Sequence, residues 1–510
     1  MRFRGPLAQR VVLGLLLACV PRWSASAFAA KFEVGSVAKS VDAAPSVQVV
    51  PHGLGETPVA LLIWSDGRRV QTIGNEVQLG MGVCDGTTCA SAAVAVANGV
   101  SPSNSSRRIA PVALTLVQPG EVVRAEATLS SWNATSFTLQ WTTNDALPAE
   151  LEYLLISGPE VKAKVVRWAM PVDAGVLEVT GVGFQPDVVV SMDLGSSSSV
   201  FPDLRPSAHF DFGVADRGGH QWVTGLYVQD NQTASNSTRY QRTDSMIGVA
   251  QSSNFYIRAA LASMTSDGFR TDFVAPSVAG PAQVLTLALG GVSARAGSFA
   301  KSIATAPTSQ SVSGMGFAPR ALLVASFQSP ARTTATASAA LGVGITDGVT
   351  QAAFAFRDVD AANPSSAIRQ HLEDRLLLCL DPLSSASSAE AALTSLDPDG
   401  FSVSWSVNDQ QPSEQVYLAL APSAAGGGGG SGAGGGSGAG GGSGAGGGGA
   451  SASGGGSSGG GSSGGTSGGG DGSGPADPLA LRVGCGCSSP GLASVALLGV
   501  AVLRRRRRSS

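Results

Sequence analysis

The stretch AEATLSSWNATSFTLQWTTNDALPAELEYLLISG, residues 125–158, returns 264 positions later as AEAALTSLDPDGFSVSWSVNDQQPSEQVYLALAP, residues 389–422. Phe137 matches Phe401, Trp141 matches Trp405, Asn144 matches Asn408, Pro148 matches Pro412 and Tyr153 matches Tyr417. Within each copy the apolar residues fall at every second position. Phe137, Leu139 and Trp141 share one face while Thr138 and Gln140 share the other, and FSVSW repeats the pattern at 401–405. A period of two is the mark of a half-buried strand. The only stretch with helical character, SSASSAEAALTSL at 384–396, lies in this same repeat, so it too is expected to be a strand.

Working outward, a middle copy falls halfway, with Phe269, Phe273, Leu285 and Gly290 each offset by 132. A Leu-x-Ser step recurs at Leu129/Ser131, Leu261/Ser263 and Leu393/Ser395. Pro58, Pro186 and Pro319 each lead into a run that reads as buried, and GSVAKS at 35–40 returns as GSFAKS at 297–302. Gly82-Val83-x-Asp85, Gly213-Val214-x-Asp216 and Gly344-Ile345-x-Asp347 follow at steps of 131. A period near 130 residues is too long for one layer of a solenoid, so each copy is expected to be a domain. The expected class is all-β: three tandem antiparallel β-sandwich modules, jelly-roll-like, at 31–158, 159–290 and 291–422.

The ends read differently. Arg2, Arg4 and Arg10 precede an apolar run at 11–20, and Ala27-Phe28-Ala29 has the small-x-small spacing of a signal-peptidase site, so 1–29 is expected to be an export signal. Residues 423–478 are a Gly/Ser-rich linker, and its 49-residue core from Gly426 to Gly474 has almost nothing to bury. As a flexible coil that core would span roughly 35–42 Å. Beyond it, residues 479–510 hold Cys485 and Cys487, an apolar run from Gly491 to Leu503, and then Arg504, Arg505, Arg506, Arg507 and Arg508. Arginine is costly in hydrocarbon, so such a cluster stays cytoplasmic and stops transfer. Arg2, Arg4, Arg10 and Arg22 with Arg504 to Arg508 are nine of the 33 basic residues, and setting them aside leaves 24 against 36 acidic ones, a charge near −12. That balance speaks against nucleic acid and anionic membrane surfaces as partners of the head.

The order Cys motif, apolar run, Arg cluster resembles the MYXO-CTERM sorting tail of myxobacterial surface proteins. The resemblance implies processing near Cys485 or Cys487 by a sorting protease, and display at the outer surface with the membrane reached through the C-terminal segment. Leu16-Leu17-Ala18-Cys19 also resembles a bacterial lipobox, which implies an acylated Cys19 as an alternative mature N-terminus. The repeated pattern of the head resembles an uncharacterised β module of phage virion and bacterial surface proteins. That resemblance implies a structural or adhesive role and no site residues. The second copy departs from the pattern, with Phe273 in place of Trp and Leu285 in place of Tyr.

Chemistry is sparse. Cys84 and Cys89 bracket CDGTTC, which suits a disulfide across a hairpin in an oxidising compartment, and Cys379 in LLLCL reads as a buried thiol. The histidines, His52, His209, His220 and His371, show no ligand-like spacing. His209 and Asp211 share a strand face, the nearest approach to a dyad or metal pair, though the favoured reading is surface strand residues. The repeated Asp85, Asp216 and Asp347 suit hairpin turns; the competing reading is calcium, which needs about six to eight oxygen ligands. Trp141 and Trp405 read as core, while Trp64 and Trp222 are the better candidates for exposed sugar-stacking aromatics. No cofactor and no catalytic set is expected. The expected role is an exported, surface-anchored protein that adheres or forms structure, with multivalent glycan binding as the alternative and a hydrolase third. Its partner is expected to be a cell-surface polysaccharide or another surface protein.

Overall fold

A computed structural model of the chain describes residues 29–197, 200–251, 254–275, 282–327, 334–381 and 384–423. Cys19, the linker beyond Ser423, Cys485, Cys487 and Arg504 to Arg508 lie outside the described residues. Period-two patterning becomes strand throughout: the chain is all-β, with no helix among the described residues. The Ala- and Ser-rich stretch that comes closest to a helical pattern is the strand Ser387–Asp397.

Among the described residues six antiparallel sheets form, three of seven strands and three of four. The first large sheet runs Lys31–Ala38, Glu150–Ser157, Ala60–Ser65, Val77–Cys84, Cys89–Val96, Ser105–Ala110 and then Asp203–Pro206. The second runs Lys162–Ala169, Ala282–Gly290, Val188–Ser197, Ala208–Asp216, Gln221–Val228, Ser237–Arg242 and then Thr336–Ala337. The third runs Val292–Ala300, Glu414–Pro422, Ala321–Phe327, Ala339–Thr346, Gln351–Asp358, Ala367–Leu372 and then Gly74–Asn75. In each, six strands come from one repeat and the seventh from another. The exchange runs first from second, second from third, third from first.

The small sheets also share one order. In the first repeat it is Ser46–Pro51, Ser136–Thr143, Val122–Trp132 and Leu114–Gln118. The recurring Leu-x-Ser step has a structural cause here. Leu129 pairs with Leu139 and Ser131 with Thr138, so the residue between them is left out of register. The same β-bulge separates Leu261 from Ser263 and Leu393 from Ser395.

Two kinds of core result. Between each small sheet and its large partner lies an aromatic core; in the first repeat Phe137, Leu139 and Trp141 meet Leu61, Ile63, Tyr153 and Leu155. The opposite faces of the three large sheets meet one another in a single hub that includes Trp64, Phe210, Phe212, Trp222, Phe354 and Phe356. Burying one such side chain stabilises by roughly 1.5–3 kcal/mol, and the hub draws on all three repeats.

The register corrects one reading of the second repeat. Leu285 faces the hub, whereas its neighbour Thr286 bonds Trp168, so Leu285 is not the residue that replaces Tyr. A slip of one residue exchanges the two faces of a strand. Volume is restored from another strand: Trp168 packs edge-on against Phe269 and Phe273, at 6.0 and 6.3 Å between ring centres.

Candidate functional site

The repeated aspartates occupy hairpin turns, and each also reaches into another repeat. Asp85 Oδ1 accepts N–H bonds from Thr87 and Thr88 in its own turn, while Oδ2 accepts the N–H of Val165 at 2.9 Å. Asp216 Oδ2 takes the N–H of Ala296 at 2.9 Å, and Asp347 Oδ2 takes that of Val34 at 3.0 Å. The three bonds run from first to second, second to third and third to first repeat. Burial pushes the Asp85 carboxyl up, but the four bonds from Val165, Thr87 and Thr88 outweigh it and hold the group below its ordinary range. The weak calcium candidates therefore spend both oxygens on protein donors. Among the described residues no group of three or more His, Cys, Asp or Glu side chains is placed to hold a metal.

The exchanged strands are held by a repeated residue that the sequence reading missed. Arg107 Nη1 donates to Ser207 O at 2.8 Å, Arg239 Nη1 to Ala337 O and Ser338 O at 2.6 Å, and Arg369 Nη1 to Glu76 O at 3.0 Å. Glu76, Ser207 and Ser338 all take left-handed backbone, at φ 73°, 65° and 68°, as the chain leaves the exchanged strand. Burial pushes each guanidinium down to about 10, still charged at neutral pH. The signal was present, since Arg recurs in SSRRIA, STRYQR and AIRQHL, but nothing in one strand announces a partner strand from another repeat.

Beside these strands, three loops bond one another. Ser103 N and O pair with Gln232 O and Asn231 N, Ser235 with Ala362 and Ala361, and Ser365 with Val100 and Gly99. A cleft of about 390 Å³ opens at the first of these contacts, lined by Asn104, Glu121, Asp230 and Asn231 with Val100 and Pro206. Asp230 Oδ1 accepts the Ser105 N–H at 2.8 Å. The lining is polar and anionic, a chemistry suited to hydroxyl-rich or cationic ligands and not to phosphate.

His209 and Asp211 are not surface residues. They are 4% and 1% exposed, because the strand Ala208–Asp216 is covered on both faces. His209 Nε2 lies 3.2 Å from Asp211 Oδ2, without the angle of a hydrogen bond. Burial, together with the charge of Arg107, drives His209 down to about 3, so its ring is neutral. Burial pushes Asp193 up to about 6, and burial, then the charge of Asp193, push Asp211 well up, against the opposing charge of Arg107. Groups enclosed in this way cannot meet a substrate in this conformation.

Where the third repeat meets the first, His371 Nδ1 sits 3.2 Å from Asp66 Oδ2, and both side chains are almost fully buried. Arg369 Nε stands 3.9 Å from the same oxygen. Glu150 and Glu152 lie on the neighbouring strand, both buried, and Arg69 reaches Glu150 at 3.6 Å.

Trp64 and Trp222 are likewise buried, at 1% and 0% exposure, and cannot stack on a sugar. Both point into the hub, and Trp222 Nε1 donates to Tyr417 O of the third repeat at 2.8 Å. Trp141 and Trp405 are core residues, each donating to a glutamine, Gln48 or Gln310, at 3.0 Å. His52 meets Asn133 O, and His220 meets Asp216 and Arg295. Cys84 and Cys89 form a disulfide across the paired ends of their strands, and the Cys379 thiol is buried. The chain matches no protein-family model and no curated protein.

Proposed function

We propose that the protein is an exported, surface-anchored repeat protein whose head adheres or forms structure without catalysis. In this reading each large sheet and its small partner make one β-sandwich module, and three modules close on themselves as a single-chain counterpart of a cyclic trimer. The observation that carries it is the equivalence of the three contacts, each with one exchanged strand, one Asp bond and one buried arginine. Such a head offers a rigid display of loops, and repetition lets weak sites gain through effective concentration. The test is co-sedimentation of the purified protein with whole cells and insoluble polysaccharides, with and without EDTA. Retention on cells or on itself supports adhesion or assembly; turnover of a glycan or peptide substrate would overturn the reading.

Multivalent glycan binding is favoured by one observation, the polar cleft at Asn104, Glu121, Asp230 and Asn231. Amide and carboxylate groups suit the paired hydroxyls of a neutral sugar. Replacing Asn231 by Gly removes the amide while keeping its left-handed backbone, at φ 57°. With Glu121→Gln, it should reduce retention on a bound polysaccharide at least tenfold. Unchanged retention would place binding elsewhere.

A further inference from the structure

We propose that the contact between the third and first repeats is a pH-dependent latch, the seam at which the head opens first as the pH rises. Connectivity sets the first condition. Short links at 158–161 and 291 tie the first repeat to the second and the second to the third, while among the described residues nothing covalent ties the third back to the first. The exchanged strand of this seam pairs over two residues, Gly74–Asn75 with Ile368–Arg369, as does that of the second seam, against four at the first. The Ser105 and Ser237 hydroxyls bond across the other two seams, to Val228 O and Asp358 O at 3.0 and 3.1 Å, where the third repeat carries Ala367.

Chemistry sets the second condition. His371 is the one histidine placed across this seam, and it faces a crowd of charge. From its own strand and the turn beyond come Arg369 and Glu373. From the first repeat come Asp66, Glu150 and Glu152, with Arg68 and Arg69 beside them and Arg124 bonded to Gly67 O and Gln78 Oε1. Burial opposes charge on His371, but the bond to Asp66 and the charges of Asp66, Glu373 and Glu150 outweigh it and raise its pKa. Burial, then Asp66 and Glu150, push Glu152 well up, and burial, then Glu373, raise Glu150.

The sign is the same for all three. Each binds its proton more tightly in the closed head, so closing takes up protons. The contribution of His371 is complete below its ordinary pKa of about 6.5 and is lost as the pH climbs through its raised value. Glu150 and Glu152 begin to withdraw theirs above about 4.5. Once the pH has passed the raised value of His371, the seam holds Asp66 against Arg369 with the His371 charge gone.

The strands equivalent to that of His371 supply the control, and His220, which meets Asp216 and Arg295 at the second-to-third seam, is left in place in every variant. His209, pushed to about 3, carries no charge at any pH in this window. Gln241 occupies the position of His371 in the second repeat, on the equivalent strand, and donates to Glu414 O at 3.2 Å. His371→Gln therefore gives the third seam the neutral donor of the second.

The experiment is amide hydrogen exchange on the full-length protein from pH 6 to 9, corrected for intrinsic exchange. It follows residues 74–76 and 368–369 beside 106–109 with 203–206, and 238–239 with 336–338. The third-to-first seam should open most, and its opening should grow about tenfold for each unit by which closing raises the His371 pKa. His371→Gln should remove the His371 part of that growth at this seam alone, and Asp66→Asn provides a second variant that removes the partner. Equal opening at all three seams, or pH dependence unchanged in both variants, would overturn the proposal.

Discussion

The aromatic cores between small and large sheets differ from the hub in what they demand of a strand. A small-sheet strand buries one face, so its sequence alternates; Ser136–Thr143 places Phe137, Leu139 and Trp141 inward and leaves Thr138, Gln140 and Thr142 toward solvent. An inner strand of a large sheet buries both faces, and Ala60–Ser65 is buried at every position. Leu61 and Ile63 serve the aromatic core of their own repeat, while Leu62 and Trp64 serve the hub. An assembly interface, when it lies within one chain, leaves the same mark in sequence as an ordinary two-sided core.

Emptying each core by one tryptophan is the strongest way to break this distinction. Trp141→Ala and Trp222→Ala should each cost about 3–5 kcal/mol, by lost transfer energy and a residual cavity. The costs are alike but the reach is not. Trp141 touches only the first repeat, so hydrogen exchange should rise there. Trp222 fills the hub and donates to Tyr417 O, so exchange should rise in the second and third repeats together. A Trp222→Ala response confined to the second repeat would mean that the hub is three separate faces and not one core.

What was legible follows the same line. Strand class, the threefold repetition, the Cys84–Cys89 disulfide and the core role of Trp141 and Trp405 all rest on local pattern or short spacing, and these the sequence carries. Trp64 and Trp222 were misplaced because their faces looked like the outside of a single domain. Arg107, Arg239 and Arg369 went unnoticed because their partners are backbone carbonyls of another repeat, which have no sequence signature. The aspartate turns were half read: the turn is local, and the bond to the next repeat is not.

The glycine that opens each aspartate motif sharpens the comparison at the level of one methyl group. A Cβ on Gly82, Gly213 or Gly344 would overlap the carbonyl oxygen of Ala113, Met246 or Leu376. That oxygen belongs to the chain segment entering the small sheet, so these glycines set how closely it approaches the large one. Gly213→Ala must push backbone apart and should cost about 3 kcal/mol, at the upper end of overpacking effects. Thermal unfolding checks it; a cost below about 1 kcal/mol would show that the two sheets can separate freely there.

Asp347→Ala tests the contact between repeats without touching either core. It removes the acceptor of Val34 N and leaves the Val349 and Thr350 N–H groups without their turn partner. The expected loss is about 1–2 kcal/mol, since part of the site is open to water. For Asp85, whose carboxyl is held low, the stabilisation is present above its ordinary pKa of about 3.9 and is lost as the pH falls through the lower folded value. Asp85→Asn should accordingly flatten the acid limb of the unfolding profile below the ordinary aspartate pKa of about 3.9.

The smallest expected effect comes from a position the three repeats fill differently. Gly99, Asn231 and Ala361 occupy the same place in the three bonded loops, all left-handed, at φ 72°, 57° and 58°. Glycine reaches that conformation freely and asparagine with little strain, whereas alanine pays about 1–2 kcal/mol for its Cβ. Replacing Ala361 by Gly relieves this strain but loosens the unfolded chain, which costs about 0.4–1 kcal/mol. The balance is a gain of about 0.5–1 kcal/mol, read as a small rise in Tm. The reverse change, Gly99→Ala, should lower Tm by a similar amount, because it creates in the first repeat the strain already borne by the third. If both changes destabilise, the loops are held by more than their shared backbone geometry, and the side chain of Ala361 itself must be part of the contact with Ser235.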